Sequence, residues 1–122
     1  VAIHGAQVAQ NAAFAGLMRG VPVSDEDLED TIADGLAGSV EADSLPIELL
    51  GRAPFDLTLV SEASLRRALR DAARELGLVI EGSAAVGLAA LRQHRAWEGE
   101  LVVVLTGANV AEEVLAEVLS ET

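Results

Sequence analysis

The chain predicts an α/β fold, a mostly parallel sheet with flanking helices, and three observations predict it. Strand-like and helix-like patterns alternate from one end to the other, as βα units do. The run Leu101 to Leu105 is continuously apolar, the pattern of a parallel strand covered on both faces. Glycine turns at Asp34-Gly35, Glu81-Gly82 and Gly107-Ala108 stand beside apolar stretches, where short connections lead into helices. Right-handed crossovers between the strands follow from the twist of the chain.

The composition suits that packing. With 122 residues and 51% hydrophobic content, the chain can bury a real core. Trp97, Phe14 and Phe55 are its aromatics, so the core is built from Ala, Val and Leu at close approach rather than from large rings. Residues 1–122 read as one segment, with no repeat, low-complexity stretch or internal boundary.

Val1 to His4 reads as a short buried strand. Gly5 then opens a helix-like stretch to Met18, closed by Arg19-Gly20, where glycine supplies the left-handed cap. Residues 21–30 form an acidic, solvated connection without the alternating oxygen donors of a calcium loop. A short helix is expected after Pro46, and Phe55 to Val60 alternates as a strand. Ser61 caps the helix Glu62 to Leu76, whose stripe Leu65, Ala68, Leu69, Ala72 and Leu76 follows the helical period. Arg66, Arg67, Arg70 and Arg74 fall off that stripe. Glu62 stands four residues before Arg66 and Asp71 four after Arg67, as on exposed helices. Gly77 ends the helix.

Leu78 to Ile80 is a short strand-like link. Ser83 caps an interior helix that is apolar nearly all round through Val86, Leu88, Ala89 and Leu91. His94 at its end complements the helix dipole. Asn109 caps the last helix, with Glu112 and Glu113 in its first turn and Val114, Leu115, Val118 and Leu119 facing inward.

Charge and residue usage exclude several function classes. The net charge of -12 repels phosphate backbones and anionic membrane surfaces, so neither nucleic acid nor a membrane is an expected partner. No apolar run approaches the roughly 18 residues that span a bilayer, and no signal core is present, so a cytoplasmic setting is expected. Without cysteine there is neither a disulfide nor a thiolate metal site. No Gly-x-Ser-x-Gly elbow or Gly-x-Gly-x-x-Gly turn supports a serine hydrolase or a dinucleotide site.

Three turns could carry chemistry. Thr106 puts a hydroxyl at the end of an apolar run, and Gly107 lets a ligand approach the backbone. Glu81 places a carboxylate at a helix start, and Asp34-Gly35 frees backbone groups. Read singly, each is an ordinary turn or cap.

Read together, Ala33-Asp34-Gly35-Leu36-Ala37, Val79-Ile80-Glu81-Gly82-Ser83-Ala84-Ala85 and Leu101 to Leu105 with Thr106-Gly107-Ala108-Asn109 resemble a known family in order and spacing. They are similar to the C-terminal part of pyridoxal-phosphate enzymes of fold type II, the tryptophan synthase β family. The resemblance is to the serine/threonine dehydratase (ammonia-lyase) and serine racemase branch, and it extends from Val1 to about Leu119. It implies the large lobe of that fold and pyridoxal 5'-phosphate as cofactor. It further implies β-elimination of a small hydroxy amino acid to a 2-oxo acid and ammonia. Thr106 then faces the pyridine nitrogen, Gly35 presents backbone near the cofactor, Glu81 lies near the ring and Gly107 shapes its pocket.

The resemblance also names what is missing. All eight Lys plus Arg residues are arginines, so the lysine that binds the cofactor covalently is absent and no residue of this chain is expected to be catalytic. That lysine, the phosphate-cradling glycine loop and the asparagine-containing substrate loop would lie upstream of Val1, in a missing N-terminal segment or a partner chain. The isolated chain is expected to be inactive. Gly82 stands where proline is usual, and Ala108 where a second glycine is usual. His4 and Gln10 stand near acidic metal ligands of the metal-activated racemases, so no metal is expected here. An exposed apolar face would favour self-association into a homo-oligomer, or a non-catalytic binding module or pocket-completing subunit of the same fold. A decayed enzyme is a third alternative. No C-terminal regulatory domain, and so no control by isoleucine, is implied.

Overall fold

The computed structural model describes residues 2–21, 23–41, 43–52, 56–94 and 97–122. The elements are β1 (His4–Val8), α1 (Ala13–Met18), α2 (Leu45–Leu50), β2 (Asp56–Val60), α3 (Glu62–Glu75), α4 (Gly82–Gln93) and α5 (Glu112–Ser120). Single turns of 3-10 helix occupy Ala9–Asn11, Asp25–Asp27 and Asp34–Leu36.

β1 and β2 pair in parallel, with His4 opposite Asp56 and Val8 opposite Val60. The strand expected over Val1 to His4 therefore starts at His4, and the helix expected from Gly5 starts at Ala13. Register explains the shift. Pairing 4–8 with 56–60 puts Val8 and Val60 side by side, both fully buried, and a ladder that seals two valines overrides the local preference of Gly5 and Ala6. Val1 and Phe55 lie outside the described residues.

α3 begins where Ser61 accepts a hydrogen bond from the Ser64 N–H at 3.2 Å. Its stripe Leu65, Ala68, Leu69 and Ala72 is buried, and it ends at Gly77 with φ +66°. Leu76, expected on that stripe, is exposed because the helix has reached its cap there. α4 is interior, as expected: Ala84, Ala85, Val86, Ala89 and Ala90 are buried. Their small side chains let α4 lie close against α3 and both strands. Val118 of α5 completes the core.

Arg67 and Arg74 are exposed, as on the expected solvated face, but Arg66 and Arg70 are half-buried against the C-terminal residues. Arg66 Nε donates to Glu121 Oε1 at 2.6 Å and its terminal nitrogen to Glu117 at 2.6 Å. Arg74 donates to the Leu119 carbonyl at 2.5 Å, and Arg92 of α4 pairs with Asp71. These side chains fasten α5 and α4 to α3. Burial alone would lower the pKa of Arg66. The hydrogen bond and charge of Glu121, followed by those of Glu117, outweigh burial and raise it. With the sign raised, that contribution is fully present at neutral pH and is lost as the pH rises through the raised arginine value.

Three expectations near the C-terminus are corrected. Leu101 to Leu105 is not a strand, and neither is Leu78 to Ile80. A parallel strand needs a neighbour for its N–H and C=O groups, and among the described residues none pairs with either segment. One face of the run is covered, since Leu105 packs on the core and Val103 lies against Gly87 of α4. The other is open, with Val102 90% and Val104 73% exposed. Asn109 does not cap α5, which starts at Glu112 behind Ala111.

Val102→Asp is accordingly expected to change the stability of this chain by less than about 0.5 kcal/mol in urea unfolding. A loss of several kcal/mol would show that the run is buried after all.

Candidate functional site

β2 delivers the chain into α3, and the first residue of α3 organises the site. Glu62 Oε1 accepts the Ile32 N–H at 2.8 Å, and Oε2 accepts the Thr31 hydroxyl at 2.7 Å. The Thr31 oxygen in turn accepts the Ala33 N–H at 3.1 Å. This carboxylate ties residues 31–33 to the carboxyl end of β2 and so places the turn Asp34–Leu36. Glu62 was read from sequence as an ion-pair partner of Arg66. Its helical spacing from Arg66 hid the tie to Thr31, and no local pattern signals a bond between residues 30 positions apart.

Glu62→Ala should cost about 2 kcal/mol, the scale of hydrogen bonds to one charged acceptor. Amide exchange should quicken across residues 31–36 while the α3–α4 core keeps its protection.

Onto this turn comes α4. A Cβ built on Gly82 would fall on the Ile32 carbonyl oxygen and lie 2.5 Å from the Ile32 carbon and 3.0 Å from the Ala33 nitrogen. Glycine is therefore what lets the α4 N-terminus reach the 32–35 backbone. A Cβ on Gly35 would lie 2.8 Å from Ser83 Oγ and 4.0 Å from Glu81 Oε1. The third turn closes from the other side. The Glu81 N–H donates to the Gly107 carbonyl at 3.2 Å, and the Asn109 N–H donates to Glu81 Oε2 at 3.2 Å. A Cβ on Gly107 would meet the Glu81 carboxylate carbon and Oε1 at 2.6 Å.

Three of the four predicted site residues, Gly35, Glu81 and Gly107, are thus brought together, with the carboxylate of Glu81 between the two glycines. Thr106 adjoins Gly107 but is exposed, and among the described residues its hydroxyl has no hydrogen-bond partner. Ser83 is not the cap expected of it. Glu81 holds the N-cap position without a side-chain cap bond, and the Ser83 hydroxyl lies buried in the first turn with no partner among the described residues. Asn109, expected to cap a helix, serves the site through its N–H.

The donor set suits a polar aromatic cofactor. Glycines at 35 and 107 let Ser83 and the Glu81 carboxylate lie directly against backbone, and the first N–H groups of α4 have no helical partner of their own. A buried hydroxyl without a partner is the kind of group that a ligand satisfies. No side chain here can bind an aldehyde covalently through a lysine amine, because the chain has none. The residues therefore fit one wall of a pyridoxal-phosphate site rather than its covalent anchor. Among the described residues no group of three or more His, Asp or Glu could hold a metal ion, and no helix is long and apolar enough to cross a membrane.

Comparison with known proteins agrees. Residues 1–107 match the family model described as pyridoxal-phosphate dependent enzyme. Maize serine racemase superposes with a TM-score of 0.76 at 23% identity, over 96% of this chain and 37% of that one. Serine racemase of Dictyostelium discoideum gives a TM-score of 0.66 at 20% identity, over 91% of this chain and 36% of that one. The chain therefore spans little more than a third of the length of these two structures. No curated protein matches it.

Proposed function

Because the chain belongs to the pyridoxal-phosphate dependent enzyme family, matching over residues 1–107, we propose that it is the C-terminal part of a serine/threonine dehydratase-like ammonia-lyase. The likeness to the racemases supports fold type II. The observation that carries the functional reading is the convergence of Gly35, Glu81 and Gly107 at one place.

When bound, pyridoxal phosphate supplies an electron sink for the α-carbon of an amino acid. This chain's residues hold and shape that site. Thr106 would hydrogen-bond the ring nitrogen, and a hydroxyl there, unlike a carboxylate, does not hold a proton on that nitrogen. Gly35 and Gly107 give close backbone approach on either side. Glu81, which accepts the Asn109 N–H, would present its carboxylate to the ring and substrate side. The buried Ser83 hydroxyl in the first turn of α4 would offer a hydrogen bond to the bound group. The substrate class is a small hydroxy amino acid, which loses its β-hydroxyl to give a 2-oxo acid and ammonia.

The reacting lysine would come from the remaining part of the fold, so the isolated chain is inactive. Two assays test the reading. The chain alone with pyridoxal phosphate and L-serine or L-threonine should release no 2-oxo acid. The full polypeptide carrying this segment should release it, and no turnover there with either amino acid would overturn the assignment.

The open face of the Leu101 to Leu105 run favours a second reading, a pocket-completing subunit whose lysine-bearing lobe is a separate chain. Mass spectrometry of the protein from its own cells separates the two: one polypeptide with lysine upstream, or two that copurify.

A further inference from the structure

The chain's two histidines meet at a third residue, far along the sequence from either. Thr58 in β2 is 5% exposed. Its Oγ1 lies 2.6 Å from Nε2 of His4 in β1 and 2.6 Å from Nε2 of His94 at the end of α4. The two imidazole centroids are 5.2 Å apart. Trp97 stands edge-on to both, at 4.9 Å from His4 and 5.4 Å from His94, and its indole N–H donates to the Leu91 carbonyl at 3.0 Å. None of these residues belongs to the site formed by the three turns.

We propose that His4, Thr58, His94 and Trp97 form a proton-sensitive latch holding the C-terminal end of α4 against the strand pair. A threonine hydroxyl has one proton. To bond two imidazoles it accepts from an N–H of one and donates to the bare nitrogen of the other. Asp56, across from His4 in the register, places Oδ2 4.0 Å from His4 Nδ1. With the N–H of His4 on Nε2, His4 donates to Thr58 and Thr58 donates to the bare Nε2 of His94, so the shared hydroxyl is satisfied on both sides.

A proton on His94 Nε2 leaves the Thr58 O–H between two N–H groups with no acceptor. The Thr58–His94 bond between the end of α4 and β2 is then lost, leaving the longer donation from Gln93 Nε2 to the Leu59 carbonyl at 3.4 Å. The charged groups around the pair, among the described residues, do not prevent this. Asp56 serves His4, Arg92 on α4 is turned to Asp71 and Glu75, and Glu98 beyond Trp97 is exposed. Because α4 carries Glu81 at one cap and His94 at the other, the latch anchors the same helix whose start builds the candidate site.

Amide hydrogen exchange on the intact chain tests the latch. Between about pH 8 and about pH 5, where histidines take up protons, protection at the residue-94 amide, which donates to the Ala90 carbonyl at 3.3 Å, and at the Trp97 indole N–H should fall about tenfold. Protection at Leu69 in α3 should hold. In His94→Gln, which cannot take that proton, that fall should vanish. Thr58→Val should be poorly protected at position 94 already at the higher pH. If Thr58→Val does not fold, the His94→Gln comparison decides alone. An equal fall in His94→Gln, or none in the wild-type chain, would overturn the proposal.

Discussion

Replacing Gly82 by alanine is expected to destabilise the chain by about 3 kcal/mol or more, at the upper end of what overpacking costs. One methyl group has this effect because of what it meets. A Cβ there would fall on the Ile32 carbonyl, with the Ile32 carbon at 2.5 Å and the Ala33 nitrogen at 3.0 Å. Backbone cannot rotate away as a side chain can, and this backbone is fixed from behind by Glu62. Either α4 withdraws from the core, exposing Ala84 and Ala85, or the 32–35 turn moves. Urea unfolding would show the loss. A stability within about 0.5 kcal/mol of wild type would mean that the two segments are not in contact.

Gly107→Ala should do the reverse, leaving stability nearly intact while damaging the site. Its Cβ would meet the carboxylate of Glu81 at 2.6 Å, and that carboxylate is the far end of a flexible side chain. Glu81 can swing away, giving up the bond from the Asn109 N–H. The expected cost to folding is about 1 kcal/mol, one hydrogen bond. Affinity for pyridoxal phosphate should fall about tenfold, a change of about 1.4 kcal/mol. Unchanged affinity would remove Glu81 and Gly107 from the proposed wall.

The two glycines also show how far the site could be read in advance. Turn chemistry at Gly35, Glu81 and Gly107 is local and legible, and their joint spacing marked the family. That Gly82 is required by the Ile32 backbone, or that Asn109 serves Glu81 and not α5, depends on which loops meet, and no local pattern carries that. Helices were the more legible part of the fold. The α3 stripe and its Ser61 cap follow from a 3.6-residue period that needs no partner. Strands were less so, because β1 is defined by β2: the Val8 and Val60 pairing moved it from 1–4 to 4–8. The Leu101 to Leu105 run has the composition of a buried strand without a neighbour to make it one. Arg66 misled for a related reason, since its helical spacing to Glu62 is visible in sequence and the approach of Glu117 and Glu121 is not.

The central claim is that three separated turns form one wall of a pyridoxal-phosphate site. Titrating the ¹⁵N-labelled chain with pyridoxal phosphate and following its amide resonances tests it most directly. The account predicts shifts concentrated at residues 34–36, 81–83 and 106–109, with the α5 amides still. Shifts gathered elsewhere on the chain, or none as the cofactor reaches about 1 mM, where binding energies are only about 4 kcal/mol, would contradict it.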